Sequence, residues 1–171
     1  MLLNRSLPPT RRLTLTALLA ALALVLSALE GMLPPLPWMP PGAKPGLSNL
    51  STMYDAGTLG LLPALGIVLV KALFAGMTRG FTALLLSLAG GTLSTLVVWL
   101  LLRKRSPHGT VGLGILGALS HNLAQLAAAM LILDTTMLAY LPWLCLFALL
   151  TGSLTGILLR LLYPLFQKIH Q

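Results

Sequence analysis

Five long apolar runs dominate the chain, at residues 13–29, 59–75, 81–102, 111–133 and 137–163. Each is long enough, or nearly so, to cross about 30 Å of hydrocarbon as an α-helix. None alternates with period two, so none reads as a barrel strand. Between the first two runs lies a more polar stretch, 46–60, reading GLSNLSTMYDAGTLG. Asn49, Ser51, Thr52, Tyr54 and Asp55 give it polar groups on most faces. Such a segment cannot face lipid alone, but it suits a short helix buried among others and lining a cavity.

The cations decide whether that stretch counts as a crossing. Arg5, Arg11 and Arg12 precede the first run, and Arg103, Lys104 and Arg105 follow the 81–102 run. Both clusters belong on the cytoplasmic side by the positive-inside rule. An even number of crossings must then separate them, and only three long runs do, so 46–60 supplies the fourth. The expected architecture is an all-α integral membrane protein of six transmembrane helices, the second short and polar. It forms one transmembrane domain over 1–171, with a cytoplasmic segment 1–12, a Pro-rich outer loop 31–46 and a basic cytoplasmic loop 103–110. Both termini are then cytoplasmic, with Arg160 and Lys168 also inside and only Lys44 and Arg79 outside. The expected location is a bacterial-type cytoplasmic membrane. A cleaved signal peptide fits residues 1–29 poorly. The apolar stretch is long for an h-region, and SALEGMLPP offers no small-x-small site.

Composition agrees with this reading. The chain is 57% hydrophobic and 8% charged, with a mean hydropathy of +0.92. Soluble domains carry about 25% charged residues. An ordinary soluble enzyme and a disordered chain are both excluded. The net charge of +8 comes from clusters flanking apolar runs, which points to topology rather than nucleic acid. A single cysteine, Cys145, leaves no disulfide framework or cysteine metal cluster.

Catalytic motifs are missing. The sequence has no HExxH, CxxC, GxxxxGK[ST] P-loop or aspartate-rich diphosphate motif. Neither a metal nor another cofactor is expected. Three acids, Glu30, Asp55 and Asp134, leave little room for carboxylate catalysis. The chain reads as a non-catalytic binder or conduit without its own motor.

Several features exceed what lipid-facing helices need. Six prolines stiffen the 31–46 loop, which also carries Trp38 and Lys44. It is either a rigid connector with Trp38 in the interface belt or a lid over an outward-facing pocket. Lys71 falls mid-span, where a cation costs about 3 kcal/mol or more unless paired or solvated. Three roles are open to it: snorkelling to the outer surface, pairing with Asp55 or Glu30, or binding an anion. In GALSHNLAQL, His121 and Gln125 are four residues apart on one helical face with Asn122 beside them. Interhelical bonding explains one such residue better than three together, so this cluster is also a candidate pocket lining. Small residues at Ala17 and Ala21, Gly90 and Gly91, Gly112, Gly114 and Gly117, and Gly152 and Gly156 mark close helix approaches.

The segments TALLAALALVLSALEGMLP, PPGAKPGLSN, FTALLLSLAGG and GALSHNLAQL resemble the Gx transporter family, also called heptaprenyl diphosphate synthase component I. Ala124 stands where that family has glycine, and Tyr54-Asp55 replaces a usual apolar pair. In size and layout the family is similar to substrate-capture (S) components of energy-coupling factor importers. The resemblance implies an S-component-like bundle that binds a small solute from outside. It also implies docking, through an A-x-x-x-A in the first helix matched by Ala17 and Ala21, on a transmembrane coupling subunit whose ATPases are separate chains. On this reading Asn49, Lys71, His121, Asn122 and Gln125 bind the solute, Lys71 favours an anionic one, and Trp38 and Lys44 belong to the lid. Lipid is the other contact, and nucleic acid is not. The alternative implied by the second family label is a membrane accessory in polyprenyl diphosphate or quinone synthesis.

Overall fold

A computed structural model describes residues 8–32, 46–104, 109–134 and 137–169, with side chains as far as 162. Six α-helices follow one another: α1 (Pro9–Met32), α2 (Asn49–Thr58), α3 (Leu61–Arg79), α4 (Phe81–Arg103), α5 (Gly109–Leu133) and α6 (Leu141–Ile169). A single 3-10 turn, Leu138–Tyr140, leads into α6. No strand occurs among the described residues. Among the described residues, five helices are long and apolar enough to cross a membrane, and α2 is the exception. The protein is therefore a multi-pass, all-helical membrane protein.

Two glycines set the path of the chain. Gly60 (φ 109°) joins α2 to α3 and Gly80 (φ 92°) joins α3 to α4. Both lie in backbone space that L side chains rarely adopt, so each reversal takes one or two residues. The helices thus run side by side in the order α1, α3, α4, α5, α6, and α2 packs within them against α1, α3, α4 and α6.

This placement resolves the oddity of the polar 46–60 stretch. Every residue of α2 from Leu50 to Thr58 is buried, so its polar groups meet protein and not lipid. Leu50, Met53 and Tyr54 form the core with Leu19 and Ala23 of α1, Ile67 of α3, Val98 of α4, Leu113 of α5 and Leu159 of α6. Ten residues of helix span only about 15 Å, half the hydrocarbon thickness. The other half of the bundle interior is left for something else.

Close packing of α5 on α6 depends on the glycines flagged in the sequence. A Cβ on Gly152 would lie 2.6 Å from Ile115 Cα, and one on Gly156 2.5 Å from Val111 Cα. These contacts are to backbone, so G-x-x-x-G here serves packing within the chain. At the end of the bundle where α1 begins and α4 ends lie Arg11, Arg12, Arg103 and Lys104, with the Arg103 guanidinium stacked 5.2 Å over the Trp99 ring.

Candidate functional site

Above the short α2, in the half of the bundle it leaves vacant, is a cavity of about 500 Å³. Its volume suits a drug-sized ligand. All five helices around α2, and α2 itself, contribute to its wall. Asn49, Lys71, His121, Asn122 and Gln125 all line it. Residues separated by up to 76 positions in sequence thus converge because α3 and α5 carry their polar groups at mid-length, level with the top of α2.

The floor has definite geometry. Lys71 is 7% exposed, and its Nζ donates a 2.7 Å hydrogen bond to Asn49 Oδ1. The ammonium therefore points into the bundle and does not snorkel to the surface. The Asp55 carboxyl oxygens accept no hydrogen bond among the described residues. Asn122 Nδ2 donates to the Leu144 carbonyl of α6 at 3.2 Å, so this side chain bonds between helices as well as lining the cavity. His121 and Gln125 lie against Gly90 of α4, where an added Cβ would be 2.9 Å from His121 Cε1 and 2.8 Å from Gln125 Cγ. Gly90 leaves the space those two side chains occupy.

That contact makes a direct prediction. Gly90→Ala is expected to cost about 1–2 kcal/mol through overpacking, read as a fall in Tm in detergent. In a His121→Ala background the cost falls, because the obstructing ring is gone. An equal cost in both backgrounds would show that the ring does not rest on Gly90.

The walls differ in character. Leu126, Ala129 and Leu133 of α5, with Leu144 of α6, make one side apolar, whereas Arg79, Thr82 and Ser87 put polar groups beside Ala83 and Leu86 on the α3–α4 side. Glu30 also borders the cavity, yet its carboxylate is occupied. Oε1 accepts from the Leu47 N–H and, at 3.4 Å, from the Ser48 N–H, and Oε2 accepts from Ser48 Oγ at 3.1 Å. The contributions of Glu30, Arg79 and Tyr140 were not anticipated from sequence. Arg79 and Tyr140 stand at helix ends beside turns, where a polar or aromatic residue ordinarily reads as an interface anchor.

The proposed lid residues Trp38 and Lys44 lie outside the described residues. Ala17 and Ala21 are exposed on α1. The buried stripe of α1 runs through Leu19, Ala23, Ser27 and Glu30. Each alanine is two residues off that stripe, about 200° round the helix, so both face away from the bundle.

A cavity with a polar floor, closed below by a half-length helix and walled by five helices long enough to span a membrane, defines the class: a multi-pass, all-helical membrane protein with an internal cavity. The chain belongs to the heptaprenyl diphosphate synthase component I family, whose model matches residues 19–162. No curated protein and no solved structure matches it.

Proposed function

We propose that the protein is the membrane-embedded substrate-binding subunit of an energy-coupling factor-type importer, taking up a small anionic solute. The cavity carries this reading: five polar side chains separated in sequence, including a buried lysine, meet in one space of about 500 Å³. Asn49, Lys71, His121, Asn122 and Gln125 hold the solute, with Lys71 opposite its negative charge. The end bearing Arg11, Arg12, Arg103 and Lys104 faces the cytoplasm of a bacterial-type cell, so the cavity lies in the outer half. Both termini are then cytoplasmic, and Trp38 and Lys44 keep the lid role that the sequence reading gives them. The outward face of Ala17 and Ala21 admits a helix of a transmembrane coupling subunit, since small residues permit close backbone approach. ATPases on separate chains supply the energy.

A second reading follows from the family's description: a non-catalytic membrane component of polyprenyl diphosphate synthesis, with a soluble prenyltransferase as partner. One experiment separates the two. The tagged protein is purified in mild detergent, and bound proteins and extracted small molecules are identified by mass spectrometry. A coupling subunit with ATPases, or a water-soluble anion, is the expected recovery. A prenyltransferase or polyprenyl lipid in their place overturns the importer reading.

A further inference from the structure

Two of the three acids, Glu30 and Asp55, and Arg12 of the first basic cluster have a use that the solute-binding reading does not absorb. Glu30 and Arg12 both belong to α1, and each holds one end of α2. At the start of α2, the 5%-exposed Glu30 accepts from the backbone N–H groups of Leu47 and Ser48 and from the Ser48 hydroxyl. At its other end, Arg12 Nη2 donates to the Leu59 carbonyl at 2.7 Å. A carboxylate at the N-terminus and a guanidinium at the C-terminus complement the dipole of a helix, whose terminal backbone groups lack partners of their own. Arg12 also acts electrostatically on the fully buried Asp55 carboxyl of α2. Among the described residues, the helices against which the α1 backbone packs are α2 and α3.

We propose that Glu30 and Arg12 are positioning residues through which α1 sets the floor of the cavity. Held at both ends, α2 keeps Asn49 within hydrogen-bond reach of Lys71 and seals the space beneath. Ala17 and Ala21 lie between the two holding residues on the opposite face of the same helix. A partner that moves α1 therefore moves the floor. This proposal deepens the importer reading by assigning α1 the control of that site, but its test needs no ligand and stands apart from the recovery experiment above.

Ala118 of α5 borders both the cavity and the tight space below it, which Asn49 and Met53 of α2 also line. Ala118→Cys, in a Cys145→Ser background of the full chain in lipid nanodiscs, reports how well α2 seals. Ser87→Cys, which lines the cavity on α4 about one turn toward its open end from Gly90, is the control. The probe is the anionic thiol reagent sulfonatoethyl methanethiosulfonate. Glu30→Ala and Arg12→Ala are each expected to speed modification at Ala118→Cys at least about tenfold, as loss of a charge-assisted hydrogen bond implies. Modification at Ser87→Cys stays unchanged. Glu30→Gln keeps an oxygen for the N–H groups but loses the charge, and Arg12→Lys keeps the charge but loses the fork. Each is expected to give about a threefold increase, and this pair carries the test if the alanine variants do not fold. Wild-type rates in folded variants overturn the proposal, because packing alone then holds α2. Equal acceleration at both reporter sites also overturns it, because that is general loosening and not release of the floor.

Discussion

Lys71→Met is expected to empty the cavity while leaving the fold intact or firmer. The two effects separate because, on the importer reading, the lysine is costly to the protein and useful to the solute. Its ammonium is buried in the bundle with Asn49 Oδ1 as an acceptor 2.7 Å away. A cation at this depth carries a desolvation cost of about 3 kcal/mol on insertion scales. Methionine has nearly the same length and none of that cost, so the Tm holds or rises. An anionic solute in the same cavity loses a charged donor, which amounts to about 3 kcal/mol, or ~100-fold in affinity. The measurement is the amount of small molecule extracted per mole of purified protein, set beside the Tm of the same sample. Full retention by Lys71→Met would remove the lysine from the binding role. A collapse in Tm would make it a structural residue.

Gly152→Leu is expected to have the largest effect on stability. An added Cβ meets Ile115 Cα at 2.6 Å and the Gly114 carbonyl oxygen at 2.8 Å. Backbone cannot rotate aside, so α5 and α6 must separate along the seam formed by Gly114, Gly152 and Gly156. Overpacking of this kind costs at least about 3 kcal/mol, which corresponds to a Tm fall on the order of 10 °C in a chain this size. Gly66→Leu is the control, because nothing lies within 4 Å of a Cβ there. Leucine also favours helix over glycine by about 0.8 kcal/mol. Equal Tm values for the two variants would mean that the α5–α6 seam is wider than described.

The helices were legible because lipid imposes a simple rule on sequence. Runs expected at 81–102 and 111–133 appear as Phe81–Arg103 and Gly109–Leu133. The second helix has no apolar run to betray it. Its existence followed from charge parity between Arg11–Arg12 and Arg103–Lys104, and its burial explains why it needs no apolar face. The SHNLAQL cluster and Lys71 stood out because polar groups at membrane depth are rare. Their grouping with Asn49 was expected on the transport reading that the family resemblance implies, whereas residue type alone does not say how α3 and α5 are rotated about α2. Glu30 was harder still. In sequence it is an acid at the end of an apolar run, and two of its three donors are backbone N–H groups, which leave no trace in residue type. Gly90 was visible as a small residue, but which side chains its missing Cβ makes room for is a tertiary fact.

The shortness of α2 has an electrical consequence. On the importer reading, with the cavity facing outward, a solute resting on the floor has travelled about half the membrane thickness before any partner acts on it. Moving one charge across the full membrane involves about 2.3 kcal/mol per 100 mV. A monoanion reaching Lys71 against an inside-negative potential therefore works against roughly 1 kcal/mol of that field. Loading from outside then weakens several-fold as the cell energises its membrane, and release inward has only the remaining half of the field to climb. A full-length second helix would have left neither the space nor this division of the voltage.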